Sequence, residues 1–583
     1  MSYDSMLQQA LKLHQQGKLD EAETLYRQIL QTTPEHPKVL NLLGLIAQGK
    51  GLHSEAINCF EKAIINDSEN FELFFNLGWS LSALAKYHEA LEAYRKVLKI
   101  KPDTKEAYLA LGETYALLGQ KDKAAEMFEK ALVFAPKYVE AEINLAYLNQ
   151  DIKKLLQLYN EQPGYPSIAY YLSLLYRNQG DIQTALRYAV KAADGTTIEG
   201  YQLLAGELYL QQSCNDAAAA FFCEALELNP RSLPALINLA NIETDSQAAE
   251  KMYKQAIDID TQDFDAHLNY AVFLHRHNRL PEALEEYRKA VIINPQSSEV
   301  SANLGTLHRS LGETEQALDL FFNAFNLDKN NRQYALNIAE TLVILYRQSP
   351  DKAIKIAANW LQYCPDNPFA KHLNASFKGE NIGNDTQYSQ ELFDIFADNY
   401  EHTMRNLNYN LPEQFVEFIG QPAGLIIDLG CGTGLLGEKL KTSDNRLIGV
   451  DISAEMLAKA ADKNVYEQLV QSDIIEYCPN IPPQAFVVAA DVIGYIGDIK
   501  TLVQQVFPRK FAFSAAINDN SVDNFKLDIS GRYVYNSNYI SAILTQTGYT
   551  DISSQEIVLR TENGCDVNGI IFYAKEKTDE PKN

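Results

Sequence analysis

Four acids and three glycines, all within one stretch of about seventy residues, are the side chains and gaps in this sequence that can do chemistry together. Leu425–Gly434 reads LIIDLGCGTG: an apolar run, then Asp428, then Gly430, Gly432 and Gly434 at alternating positions. This is the pattern of a buried parallel strand that ends in a loop where backbone approaches a ligand closely. A helical pattern follows at once, so the loop sits where strand ends form a ligand crevice. Downstream, Asp451 ends an apolar run (RLIGVD), Asp473 ends LVQSD, and Asp491 ends FVVAAD, with Tyr495 four residues on. Carboxylates at strand ends can pair a ribose diol, an amino group or an exocyclic amine. The chemistry implied is a nucleotide-type cofactor beside a base or orienting acid, Asp491. The glycines run G-x-G-x-G, with Leu435 where a dinucleotide fingerprint would want glycine.

Three features distinguish among nucleotide cofactors. Asp428 stands just before the loop, where a methionine amino group can be paired. Asp451, Ile452, Ser453, Met456 and Leu457 form D-I-S-x-x-M-L, which sets apolar side chains beside the ribose for an adenine face. Asp473, followed by Ile474, can accept from the adenine amine. Together these resemble class I S-adenosylmethionine (SAM)-dependent methyltransferases. Further matches are F-D-x-x-A-x-x-Y (Phe393–Tyr400), L-x-Y-x-x-P (Leu407–Pro412) and A-A-D-V-x-x-Y (Ala489–Tyr495). With the repeats below, they resemble predicted bacterial methyltransferases with an N-terminal repeat array. The resemblance implies that Tyr400 sits over the methionine end of SAM and that Asp491 and Tyr495 face the transferred methyl and the acceptor. Two positions depart from the family: Ser514-Ala515-Ala516 lacks an acid after the fifth strand, and Tyr535 replaces a common histidine. Both are expected on the acceptor side.

The elements around the site alternate strand and helix. Strands are expected at Arg446–Asp451, 469–474, Phe486–Asp491 and Phe511–Ile517, closed by a hairpin of Gln555–Arg560 and Gly569–Lys575 around Asn563-Gly564. That order is a doubly wound α/β domain, here 389–575, followed by a charged tail at 576–583. Within it two helices precede the first strand, one carrying Phe393, Phe396, Ala397, Tyr400 and Met404 on a single stripe, the other beginning near Pro412.

The rest of the chain repeats. Gly78, Ala90, Tyr94, Val97 and Pro102 recur 34 residues on as Gly112, Ala124, Phe128, Ala131 and Pro136. The same offsets return at Gly44, Gly206, Ala271 and Gly305. This period resembles tetratricopeptide (TPR) repeats, an α-solenoid of helical hairpins. Small residues let paired helices close up, aromatics fill the gap to the next repeat, and proline stops the second helix. Ten or eleven units are expected over 3–373, irregular near 150–165 and 241–247, then a linker at 374–388 poor in periodicity. Two residues before the small position stand Asn238, Asn269, Asn303 and Asn337, a column that resembles the asparagine ladder of O-GlcNAc transferase repeats. An amide there can pair bidentately with a peptide backbone. A protein or peptide partner in the groove follows from that resemblance, and a solvated polar position is the plainer alternative.

The bulk numbers fit a multidomain chain: 583 residues exceed one ordinary domain. A net charge of −25 speaks against nucleic acid or an anionic membrane as main partner. Seven scattered cysteines without a C-x-x-C pair imply neither a disulfide framework nor a metal site. No run nears the roughly 18 apolar residues that span a bilayer, so a cytoplasmic location is expected. The expected function is a SAM-dependent methyltransferase whose repeats recruit a protein partner or acceptor. The alternatives are a small-molecule methyltransferase anchored by its repeats and a SAM-binding scaffold without turnover.

Overall fold

The computed structural model describes residues 3–518, 524–562 and 564–576. By contacts the chain divides into two compact units, Met1–Thr261 and Gln262–Asn583. The division falls inside the expected array, not at its end. Among the described residues the first unit is eight helical hairpins, from Tyr3–Gln15 paired with Leu19–Thr32 to Leu233–Ile242 paired with Ser246–Ile259. Most helices have 13 or 14 residues; Val139–Leu148, Ile152–Glu161 and Leu233–Ile242 have ten, as the irregular spacing anticipated. In four of these hairpins a glycine of the first helix, Gly44, Gly78, Gly112 or Gly206, carries an aromatic ring of its own second helix: a Cβ on Gly78 would lie 2.6 Å from the Tyr94 ring, and one on Gly44 2.5 Å from Phe60. The aromatics therefore fill the gap inside their own hairpin, and they also share core clusters with the next repeat, Phe60 with Leu73 and Phe222 with Ala235 and Leu239.

The second unit begins with three more hairpins, Phe264–Arg276 with Leu280–Ile293, Ser298–Ser310 with Thr314–Leu327, and Arg332–Gln348 with Pro350–Tyr363. Arg332–Gln348 has 17 residues, about one turn longer than its counterparts, and this explains the shifted pattern of that repeat. A single helix, Pro368–Lys378, follows. The expected linker at 374–388 is thus largely helical: Asn374, Ala375, Ser376 and Phe377 are buried in that helix, and Thr386 opens another. Only 379–385 lies between helices. The striped helix is likewise two, Thr386–Phe396 and Tyr400–Asn406, with a break at 397–399. Leu411–Ile419 follows, with Pro412 at its second position.

Nine strands come next: β1 Gly424–Leu429, β2 Asn445–Asp451, β3 Gln468–Gln471, β4 Phe486–Ala489, β5 Lys510–Ala516, β6 Phe525–Leu527, β7 Tyr533–Tyr535, β8 Asp551–Glu562 and β9 Cys565–Lys575. Among the described residues they form a seven-stranded sheet in the order β3-β2-β1-β4-β5-β9-β8 and a separate β6–β7 pair. β1 to β5 are parallel, β9 runs antiparallel to β5, and β8 runs antiparallel to β9. This is the doubly wound sheet closed by a hairpin. Of the hairpin turn, Asn563 lies outside the described residues, as do 577–583 of the expected tail. β1 and β4 are neighbours although β2 and β3 intervene in sequence, so strand order reverses between them, and a crevice opens there at the strands' carboxyl ends.

Candidate active site

A first cavity occupies that crevice. Gly430 and Gly432 line it from the loop after β1, Asp451 and Ile452 from the end of β2, Asp473 and Ile474 after β3, and Asp491 after β4. Met456, from the helix Ala454–Asp462, adds an apolar wall. Both loop glycines have positive φ, 69° and 53°. A Cβ on Gly430 would collide with Val492, whereas one on Gly432 would meet nothing within 4 Å: bare backbone faces the space. The Gly432 N–H donates to Asp451 Oδ2 (2.8 Å) and the Ser453 N–H to Oδ1 (2.9 Å). Burial pushes the Asp451 carboxyl up to about 6, and those backbone donors pull against it. Asp473 Oδ1 caps the helix Ile474–Tyr477 through the N–H groups of Ile475 and Glu476, and its Oδ2 accepts from Asn384 Nδ2 (2.9 Å). Each carboxylate keeps acceptor capacity for a ligand. The remaining wall comes from Asn384, Thr386, Ser389 and Phe393, the segment read as linker and covering helix.

A second cavity, of ≈ 320 Å³, shares Phe393, Tyr400 and Tyr495 with the first. Its other walls are Leu336, Ala339 and Val343 of the repeat helix Arg332–Gln348, Phe369 and His372 of Pro368–Lys378, and Gly531 and Arg532 of the β6–β7 turn. Polar bonds fix this junction. The Ser376 Oγ donates to the Asp528 carbonyl (2.6 Å), and His372 Nε2 bonds the Gly531 carbonyl (2.8 Å). The His372 ring stacks on Tyr388 at 3.6 Å. Arg332 pairs with Asp394 (3.2 Å), which accepts from Ser453 Oγ (2.6 Å), so the repeat helix is tied to the cap that follows β2.

Between the cavities runs a buried charge ladder. Arg560, 3% exposed, holds Asp491 with both oxygens near Nη1 (3.1 and 3.3 Å). Its Nε donates to Glu562 (2.6 Å), which also takes Arg532 Nη1 (3.2 Å), and Arg532 Nε donates to the Tyr495 hydroxyl (2.9 Å). Asp491 itself sits at φ 55°, with its N–H donating to Ser514 Oγ (2.8 Å). Burial lifts its carboxyl to about 6 while Arg532 draws it down; the direct contact with Arg560 also favours the charged form. An ionised carboxylate held by a guanidinium is an orienting acid rather than a free base. Burial, reinforced by Asp491, holds the Tyr400 phenol well above its ordinary value.

The sequence-expected residues separate into three groups. Tyr400, Gly430, Gly432, Asp451, Ile452, Met456, Asp473, Ile474, Asp491 and Tyr495 all line the first cavity. Asp428 and Gly434 do not. Asp428 is 1% exposed and its carboxylate accepts from the Tyr466 hydroxyl (2.7 Å), so it holds the loop's base rather than a methionine amino group. Burial raises its carboxyl to about 7. Gly434 begins the helix Leu435–Leu440 and packs toward Tyr466. Two further corrections concern the acceptor side. Tyr535 is in the core, donating to the Ile493 carbonyl (2.7 Å), and Ser514 supports Asp491. In the asparagine column, Asn337 is 8% exposed and its side-chain oxygen accepts from Gln333 (3.0 Å), so it is not a groove position. Asn238, Asn269 and Asn303 are partly exposed, and Asn269 donates to the Asp265 carbonyl (2.8 Å). Arg532, Arg560, Glu562 and Asn384 were not anticipated; no local motif marks them.

Comparison with known proteins matches the repeats and the sheet domain separately. Family models described as Tetratricopeptide repeat match residues 7–71, 75–139 and 242–302, and one described as Methyltransferase domain matches 426–507. The chain is similar to the type IV pilus assembly protein PilF of Pseudomonas aeruginosa, 29% identical over 139 residues, covering 23% of this chain and 55% of that protein. It is also similar to the 18S rRNA (guanine-N(7))-methyltransferase RID2 of Arabidopsis thaliana, 34% identical over 92 residues, 14% of this chain and 32% of that one. It thus spans about half or less of the length of these curated relatives. Among solved structures, a tetratricopeptide repeat protein from Parabacteroides merdae is 20% identical with a TM-score of 0.36, covering 44% of this chain and 98% of its own.

Proposed function

From a chain that joins tetratricopeptide repeats to a methyltransferase domain, we infer a SAM-dependent methyltransferase whose acceptor enters beside Tyr495 and whose repeats also carry a protein partner. One observation carries this reading: ten of the residues expected from sequence line one cavity, and that cavity meets a second across Phe393, Tyr400 and Tyr495. The first cavity's donor set suits the cofactor. Asp451 would hold a ribose diol, Asp473 with Asn384 the adenine edge, and Ile452, Met456 and Ile474 the apolar ring faces. Gly432 leaves the backbone bare where the chain must come closest. The bound cofactor supplies an electrophilic methyl group on a sulfonium.

What the chain's own residues do is position and exclude. Asp491, fixed by Arg560 and Ser514, and Tyr495, fixed by Arg532, set the orientation at the junction of the cavities. Tyr400 keeps its proton and closes the wall between them. Phe393 and Tyr400 keep water from the path between donor and acceptor. In the repeats, Asn238, Asn269 and Asn303 remain the candidates for pairing with a partner's backbone.

Titration calorimetry with SAM tests the cofactor assignment: wild type should bind, and Asp451→Ala should bind about 100-fold more weakly. Absence of binding by wild type would falsify the reading. Asn269→Ala with Asn303→Ala should weaken partner capture in a pull-down while SAM affinity stays unchanged.

A further inference from the structure

We propose that the second cavity is the acceptor site and takes a small molecule with a flat apolar body and one acidic oxygen (a phenol, an enol or a carboxylic acid), with the repeat helix Arg332–Gln348 as part of its wall. The proposal rests on the methyltransferase reading above and names its substrate class. At ≈ 320 Å³ the space suits a small molecule and is too small for a folded partner. Leu336, Ala339, Glu340 and Val343 recur at i, i+3, i+4 and i+7, so one face of the repeat helix lines it. Rings of Phe369, Tyr388, Phe393 and Phe396 supply flat apolar surface. Glu340, at the repeat side, is neutralised by Arg309 (3.0 Å).

The polar end is where the cavities meet, and the cation that lines it is Arg532. Arg532 lines the cavity with a quarter of its side-chain surface exposed (25%). Its Nε serves Tyr495 and its Nη1 serves Glu562, so further N–H donors of the fork remain for a ligand. The two carboxylates nearby, Asp491 and Glu562, are both engaged by Arg560. An acidic oxygen beside Arg532 is favoured as its anion and releases its proton to solvent on entry. The acceptor oxygen then takes the methyl carbon as the sulfonium S–C bond breaks, leaving a neutral thioether and a neutral methyl ether or ester. No base is consumed, which agrees with an Asp491 bound to a guanidinium.

The test uses the full chain, SAM labelled in its methyl group, and a cell extract separated into protein and small molecules. Label should enter small molecules that pass into organic solvent from both acid and base. Release of label by mild alkali identifies a carboxyl acceptor, and retention a phenol or enol. Ala339→Trp and Val343→Trp, which narrow the cavity from the repeat side, should each cut labelling at least about tenfold with SAM affinity changed by no more than about twofold. Val343 is partly exposed, so its variant folds even where Ala339→Trp does not. Label in protein, label extractable only from base (an amine product), labelling indifferent to a folded tryptophan variant, or no label despite SAM binding would each overturn the proposal. Failure of wild type to bind SAM overturns instead the methyltransferase reading on which it stands.

Discussion

The two cavities share three aromatic side chains but are made in different ways. The first is built from the ends of parallel strands: bare backbone at Gly432 and carboxylates whose own partners are main-chain N–H groups. Its geometry is set by the sheet, because β1 to β4 cannot shift without breaking the ladder. The second is built from helix side chains brought together from three places, the last repeats, the helix Thr386–Phe396 and the β6–β7 turn. Its shape depends on packing and on a charge ladder rather than on strand register. A site of the first kind keeps its ligand constant, and one of the second kind changes specificity through single side chains.

Asp451→Ala strikes the first cavity alone. It removes the acceptor of two main-chain N–H groups, so SAM affinity should fall about 100-fold by calorimetry. Arg560→Met strikes the charge ladder between the two cavities. It leaves Asp491 without its guanidinium partner, and unfolding stability should drop by about 3 kcal/mol in urea, with Asp491→Asn restoring part of it. An equal loss of stability in both variants would erase the distinction between the cavities.

Acid should separate them as well. Asp451 must be charged to accept from a diol, so SAM binding should weaken by up to about tenfold per pH unit below about 6. Stability without cofactor runs the other way. Between the ordinary carboxyl value of 3.8 and the raised values of Asp451 and Asp428, the native state binds protons that the unfolded chain does not. Unfolding free energy should therefore rise as pH falls from 7 toward 4 in this contribution. Scans with and without SAM should diverge. The smallest effect is expected for Asp394→Ala, which cuts the tie between Arg332 and the Ser453 cap: about a fivefold loss in SAM affinity, near 1 kcal/mol.

The difference in construction also explains what could be read from the sequence. Strand-end acids and spaced glycines are local, so Gly430, Gly432, Asp451 and Asp473 were legible, as was the repeat period, which recurs often enough to show its register. Arg532, Arg560 and Glu562 meet only because two antiparallel hairpins fold together, and nothing within a window of sequence links them. Tyr535 and Asp428 were misplaced because a family position gives the residue but not whether its polar atom faces a cavity or a buried partner. The supposed linker failed for a specific reason. Asn374 and Ser376 look solvated, but the helix Pro368–Lys378 buries them, and Ser376 bonds the Asp528 carbonyl. Polar residues on a buried face erase the periodic signal on which helices are recognised.

The wall formed by Arg332–Gln348 and Pro368–Lys378 has a consequence for how such a molecule can be remodelled over generations. Hairpins can be duplicated or lost ahead of Ser298 with the chamber's wall and its Arg309–Glu340 pair intact, so the array can lengthen or shorten. The final hairpin and the helix after it are not interchangeable with the others. A graft that swapped the whole solenoid at residue 374 or 389 would deliver a sheet with an open flank, because the joint between the two architectures forms a wall of the second cavity.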